Sequence, residues 1–292
     1  MHKEQALLIT VIIYMFILYS ILMYFCIDIN ELLENINYLD DFKTKDKCIC
    51  IITRKPNKIL LDFLNDFEHY DIYIMIDDNN VEYKKFYKRQ YDNINFIQVE
   101  EDICIKNGFI NVTKMTKESY PIAWDKALFY FSNIQSNYDN VWFIEDDVYF
   151  YNEDTILNID NKYPNSDILS KKYEQYDSKK PDHWHWKSIM NNIKIDPPYY
   201  KTMVCAVRMS KKLLGYINKY AKVNNTLFYL EAMYPTLAMR NNLKCDNPDE
   251  LSTIVYRKDW KKEDMNKTNL YHPIKDYDIQ YLYKLYELDN CE

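Results

Sequence analysis

The chain has 292 residues, 48% of them hydrophobic and 16% aromatic, with 37 basic and 44 acidic side chains for a net charge of -7. That supplies enough apolar material for a sizeable core and excludes wholesale disorder, while the interspersed charges exclude a basic nucleic-acid footprint. Only two glycines occur, Gly108 and Gly215, so neither a dinucleotide fingerprint nor a nucleoside-triphosphatase loop can be written.

Residues 1–5 form a short polar tail. Residues 6–27 read ALLITVIIYMFILYSILMYFCI with no charge, and about 22 residues rising about 1.5 Å each span a hydrocarbon core of roughly 30 Å. This predicts one N-terminal transmembrane helix. The run is longer than the apolar region of a signal peptide and lacks a small-residue cleavage site, so it reads as an uncleaved signal anchor. Lys3 precedes it, and Asp28, Glu31, Glu34, Asp40 and Asp41 follow it. That charge bias favours a cytosolic tail and predicts a single-pass type II membrane protein with a translocated, luminal body. Sequons at Asn111, Asn224 and Asn266 agree, although an Asn-rich chain also produces them by chance. Cys48, Cys50, Cys104, Cys205, Cys245 and Cys291 follow the anchor. Their even number permits disulfides, their spacing matches no known framework, and Cys48 and Cys50 read equally well as small apolar fillers.

Residues 28–46 are an acidic stem. Lys47–Thr53 and Tyr70–Ile76 are short β-prone apolar runs and read as buried strands, as do residues 95–99. Residues 57–67, between the first two, have helical spacing. Residues 122–132 (IAWDKALFYFS) read as an amphipathic helix, and residues 141–144 as a strand ending in Glu145-Asp146-Asp147. Residues 148–151 are an aromatic run, and residues 201–208 read as a strand. Residues 210–221 form a helix capped by Ser210, and residues 227–241 a helix broken or bent near Pro235. This alternation predicts an α/β body over residues 47–292: a mainly parallel sheet with helices on both faces. No internal repeat or second domain is visible.

The sharpest chemical signal is FIEDDVYF, residues 143–150. In an open α/β sheet, ligands bind beyond the carboxyl ends of the strands. Clustered carboxylates there repel one another unless a cation sits between them, and hard oxygen ligands suit Mn2+ or Mg2+. The plainer reading is a solvated acidic turn. Glu231 stands alone among apolar residues in LFYLEAMYP, where an acid must be exposed, paired or functional. Trp184 and Trp186 belong to the segment His183-Trp-His-Trp186, which fits a sugar-stacking surface, a structural aromatic cluster or a His-x-His metal pair that lacks a third ligand.

The arrangement resembles the GT-A fold of nucleotide-sugar glycosyltransferases, whose acidic motif ends a central strand. The Glu-Asp-Asp is similar to that of the N-acetylglucosaminyltransferases of N-glycan processing. The tracts AWDKALFYF, VWFIEDDVYF, LEAM and YHPIK resemble uncharacterised glycosyltransferase-like proteins of large DNA viruses and algae, over roughly residues 47–275. A type II anchor with a stem is also the layout of Golgi glycosyltransferases, so the resemblance implies a Golgi or ER membrane, a host endomembrane for a viral protein. The resemblance implies Asp147 as direct metal ligand, with Asp146 and Glu145 on the donor's ribose or on the metal through water. It implies Asp77 or Asp78 at the nucleoside, Arg54 at the diphosphate, His272 as a second metal ligand and Lys275 against the leaving diphosphate. It places the acceptor loop at Trp184 and Trp186. Glu231 is then the general base of an inverting enzyme, with a retaining outcome left open. The implied reaction moves a sugar from a nucleotide sugar, a UDP-sugar in the first instance, to a glycan or protein acceptor. Competing readings are a metal-dependent phosphatase or phosphodiesterase and a non-catalytic, membrane-anchored glycan-binding protein.

Overall fold

In a computed structural model the described residues are 45–110, 120–180 and 184–274. The anticipated anchor at 6–27, most of the stem, Asn111, His183, Lys275 and Cys291 lie outside them. Among the described residues no helix is long and apolar enough to cross a membrane.

In chain order the elements are β1 (Lys47–Thr53), α1 (Lys58–Asn65), β2 (Tyr70–Ile76), α2 (Tyr83–Tyr87), β3 (Ile94–Ile97), α3 (Glu101–Lys106), α4 (Ala123–Phe129) and β4 (Asn140–Glu145). There follow α5 (Glu153–Lys162), β5 (Ile168–Leu169), β6 (Glu174–Gln175), α6 (Trp186–Ile189), β7 (Tyr200–Lys201), β8 (Ala206–Ser210), α7 (Lys211–Asn224), α8 (Leu230–Arg240) and β9 (Cys245–Asp246). One mixed sheet runs in the order β3-β2-β1-β4-β8-β5-β9, and β6 pairs with β7 in a separate ribbon. The strands β3, β2, β1 and β4 are parallel, and β8 runs antiparallel to β4.

The parallel strands carry almost unbroken apolar runs because both of their faces are covered. On one face Ile49, Ile51, Ile72 and Ile74 pack with Leu60, Leu61 and Leu64 of α1 and with Ile156 and Ile159 of α5. On the other, Tyr73 meets Phe131 at 5.3 Å between ring centroids, and Phe131 meets Phe143 at 5.5 Å. Helix α4 lies on that second face and continues into a π-helical turn at Tyr130–Ile134. Helix α7 is capped as its sequence predicts, with the Ser210 hydroxyl accepting from Leu213 N.

The aromatic run 148–151 packs inward: Val148 and Phe150 are buried in the core, and Tyr149 forms a bridge to Tyr271. Two local expectations change. The run 201–208 is interrupted between β7 and β8, because Thr202 N donates to Glu231 O at 2.9 Å and leaves the ladder. Helix α8 passes through Pro235 without a break. Proline cannot donate to the carbonyl four residues earlier, and that carbonyl, Glu231 O, is the one Thr202 N occupies. The described cysteines are all free thiols.

Candidate functional site

The carboxyl ends of β1, β2 and β4 lie side by side, since Thr53 pairs with Ile76 and Ile52 with Glu145. Arg54, Asp77, Asp78 and the triplet Glu145-Asp146-Asp147 therefore share one edge of the sheet. The antiparallel strand β8 begins at that edge, so Cys205 comes beside Glu145, whose N–H donates to Cys205 O at 2.8 Å.

His272 reaches the same edge from far along the chain. Its neighbour Tyr271 exchanges backbone hydrogen bonds with Tyr149 at 2.8 and 2.9 Å, and Ile274 N donates to Asp147 O at 2.8 Å. His272 Nε2 thereby lies 3.4 Å from Asp147 Oδ1 and 3.7 Å from Glu145 Oε2. Its Nδ1 lies 2.6 Å from the Val255 carbonyl. A carbonyl only accepts, so Nδ1 carries the proton and Nε2 is the atom presented to the carboxylates. Burial pulls the His272 pKa down, but Asp147, the Val255 carbonyl and Glu145 outweigh it and leave it above the ordinary histidine value.

Asp147 Oδ1 is buried and accepts no hydrogen bond. A buried carboxylate oxygen without a donor is costly. Here it faces an imidazole nitrogen whose ring is oriented by a carbonyl, an outer-shell arrangement typical of metal-bound histidine. Glu145 Oε1 accepts from Trp124 Nε1 at 2.7 Å, which orients that carboxylate. The donor set at this edge fits a divalent cation. Asp146 turns the other way, accepting a hydrogen bond from the Thr53 hydroxyl at the end of β1.

The two acids after β2 have separate engagements. Asp77 pairs at 2.7 Å with Lys126, whose side chain is 1% exposed. Asp78 accepts from Asn80 N at 2.9 Å and from the Tyr83 hydroxyl at 2.8 Å. These bonds, Asn80's first, hold its carboxyl below the usual range, and exposed Arg54 adds to the effect.

Glu231 lies in the first turn of α8, and Trp184 Nε1 donates to its Oε2 at 3.2 Å. Burial pushes its pKa up to about 7, against the opposing pull of the Trp184 hydrogen bond and Lys201. Glu231, Trp184, Tyr229, Lys171 and Lys201 line a cavity of about 440 Å³ that also touches Val255, the residue that holds His272. Trp184 is partly open to it. Trp186 is buried, packed against Tyr176 and edge-on to Trp184 at 4.8 Å between ring centroids, within an aromatic cluster. His185 stays out of the acidic cluster.

Cys205 and Trp124 are the site residues that sequence reasoning did not single out. Cys205 stood out only as one of six cysteines, inside a strand-like run, and Trp124 sits on a helix whose facing partner is set only by the fold.

No protein-family profile and no curated protein sequence matches the chain. Comparison with solved structures finds similar chain courses at low identity. The galactosyltransferase LgtC in complex with donor and acceptor sugar analogs is 11% identical, with a TM-score of 0.44, covering 83% of this chain and 95% of that one. The apo form of mouse xyloside xylosyltransferase 1 is 11% identical, with a TM-score of 0.40, covering 78% of this chain and 97% of that one. The 4-diphosphocytidyl-2C-methyl-D-erythritol synthase from Anaerococcus prevotii is 12% identical, with a TM-score of 0.42, covering 83% of this chain and 96% of that one.

Proposed function

We propose that the protein is a divalent-cation-dependent glycosyltransferase that moves a sugar from a nucleotide sugar, a UDP-sugar in the first instance, to a hydroxyl of a glycan or glycoprotein. The observation that carries this reading is the convergence of Glu145, Asp147 and His272 at the carboxyl ends of the parallel strands, next to a cavity holding Glu231 and Trp184.

In this reading Asp147 and His272 hold Mn2+ or Mg2+, and Glu145, fixed by Trp124, completes their side of the shell. When bound, the cation neutralises the diphosphate of the donor and of the leaving group. Arg54 and Asp78 lie along the same edge and take the diphosphate and the nucleoside. Asp77 is committed to Lys126. Asp146 fixes the turn through Thr53. Lys275 stays assigned to the leaving diphosphate on the sequence resemblance alone.

Trp184 offers a ring to the acceptor sugar and its N–H to Glu231. With a pKa near 7, Glu231 is partly ionised at neutral pH and takes the proton of the acceptor hydroxyl. The acceptor oxygen then bonds to the anomeric carbon, and the bond to the diphosphate oxygen breaks with its electron pair leaving on the nucleoside diphosphate. Attack from the face opposite the leaving group inverts the anomeric centre. The sequence also supports a type II anchor at residues 6–27 holding this body in the lumen of the Golgi or ER, a host endomembrane if the source is viral.

A two-metal phosphatase is less well supported. Among the described residues one cluster alone has metal-ligand geometry.

Calorimetric titration of the full-length protein with UDP, GDP and CMP, each with and without Mn2+, tests the reading. Binding of one nucleotide that requires Mn2+ and disappears in Asp147→Ala is expected. Absence of nucleotide binding under every condition overturns it.

A further inference from the structure

The reaction proposed above leaves one member of the cluster without a task. One ligand atom each from Glu145, Cys205 and His272 lies within 4.8 Å of the other two. Both Cys205 and His272 are buried, at 8% and 6% exposure. The antiparallel start of β8 fixes the cysteine, and the Val255 carbonyl fixes the histidine ring so that Nε2 points inward. Mn2+ and Mg2+ need no sulfur, because they are satisfied by hard oxygen ligands. A thiolate, an imidazole and a carboxylate form a donor set of the kind that Zn2+ prefers.

We propose that Cys205 supplies a sulfur ligand at this centre, so that the Glu145–Cys205–His272 set takes a thiophilic divalent cation and holds Zn2+ more tightly than Mn2+. The proposal rests on the reading of this cluster as the cation site. Tetrahedral bonds of about 2.3 Å to sulfur and about 2.0–2.1 Å to nitrogen place those two donors about 3.5 Å apart, within reach of small side-chain rotations from the observed spacing. Binding exchanges the thiol proton for the cation and releases that proton to solvent. Asp147 Oδ1, at 3.4 Å from His272 Nε2 and without a hydrogen bond, is a further oxygen beside this set. The cation's identity then depends on supply: a zinc-rich compartment loads zinc, and manganese enters only where zinc is scarce.

Co2+ is the probe, because it occupies zinc sites and reports a bound thiolate through a sulfur-to-cobalt charge-transfer band in the near ultraviolet. Full-length protein titrated with Co2+ is expected to develop that band and to lose it on addition of Zn2+ but not of equimolar Mn2+. In Cys205→Ser the band is absent, Zn2+ affinity drops about tenfold or more, and Mn2+ affinity changes less than about threefold. Cys205→Ala serves as the second variant, with far-ultraviolet dichroism checking the fold, and His272→Ala removes the band by an independent route. Bound Co2+ with ligand-field bands but no charge-transfer band overturns the cysteine's role and leaves the cation centre standing. A band that persists in both Cys205 variants places the sulfur elsewhere and overturns it too. Failure of Co2+ and Mn2+ alike to bind removes this proposal and the cation-dependent reading together.

Discussion

Pro235 has no N–H to offer the carbonyl of Glu231, and the amide of Thr202 takes that place at 2.9 Å. The proline thus frees an acceptor in the first turn of α8, and a backbone group from the neighbouring segment locks onto it. Glu231 is tied at its main chain to the approach to β8 and at its side chain to Trp184. A carboxylate held at both ends is suited to meet an acceptor hydroxyl in one orientation.

Replacing Glu231 by Gln is expected to lower the transfer rate by about 10²–10⁴-fold with little change in donor binding. As the proposed base, Glu231 is expected to give a transfer rate that rises with pH through a limb centred near 7, where its carboxyl ionises. The effect on stability has the opposite sign. The folded protein holds this proton up to about pH 7, whereas a solvated glutamate loses it near 4.5. Stability therefore falls as pH rises through that window, by at most about 3 kcal/mol. In EDTA, Glu231→Gln is expected to melt above wild type at pH 8 and level with it at pH 4.

His272→Ala is expected to abolish the rise in melting temperature that Mn2+ gives the wild type. A ligand at a hundredfold excess over its Kd stabilises a fold by about 2.7 kcal/mol. Calorimetry of the variant checks the same loss directly.

Trp124→Phe keeps an aromatic ring against Phe143 and Tyr234 but removes the N–H that Glu145 accepts at 2.7 Å. Cation affinity is expected to fall about tenfold, as for loss of other outer-shell partners. The dichroism spectrum stays that of the wild type.

At the other end of the sheet, Arg208 is 2% exposed and pairs with Asp160 at 2.7 Å. Asp160 also accepts from Tyr70 Oη at 2.7 Å and Trp142 Nε1 at 2.9 Å. Asp160→Ala leaves a buried guanidinium uncompensated and is expected to cost about 3–5 kcal/mol in urea denaturation.

The two glycines make an internal comparison. Gly108 sits at φ +77°, and a Cβ there would lie 2.4 Å from Ala221 O. Gly108→Ala is expected to destabilise by more than about 2 kcal/mol, combining left-handed strain with a backbone clash. Gly215 lies inside α7 with nothing within 4 Å of an added Cβ. Gly215→Ala is expected to stabilise by about 0.5–1 kcal/mol. Paired thermal melts test both.

The strands β1 and β2 begin and end where their apolar runs do, since a strand covered on both faces needs no alternation to be visible. The acidic end of β4 was legible for the same reason. Helix α5 was not read, although Asn152 carries a cap signal and its side chain accepts from Thr155 N. The meeting of Cys205 with Glu145 depends on the antiparallel direction of β8, and the burial of Trp186 on α6 folding under Trp184. Neither leaves a mark in local periodicity. His272 was legible only through resemblance, because its position depends on the bridges at Tyr149 and Ile254.

Those bridges also set an order of events during synthesis. A chain emerging from the ribosome has made β1, β4 and β8 long before residue 272 is translated. The carboxylates and the thiol must wait for their imidazole until nearly the whole body has been made, so a stalled or truncated product carries most of the sheet and lacks this histidine. A single proteolytic nick in the 252–270 segment leaves the histidine joined to its site by non-covalent contacts, among them the Tyr149–Tyr271 bridge and the Ile274–Asp147 hydrogen bond.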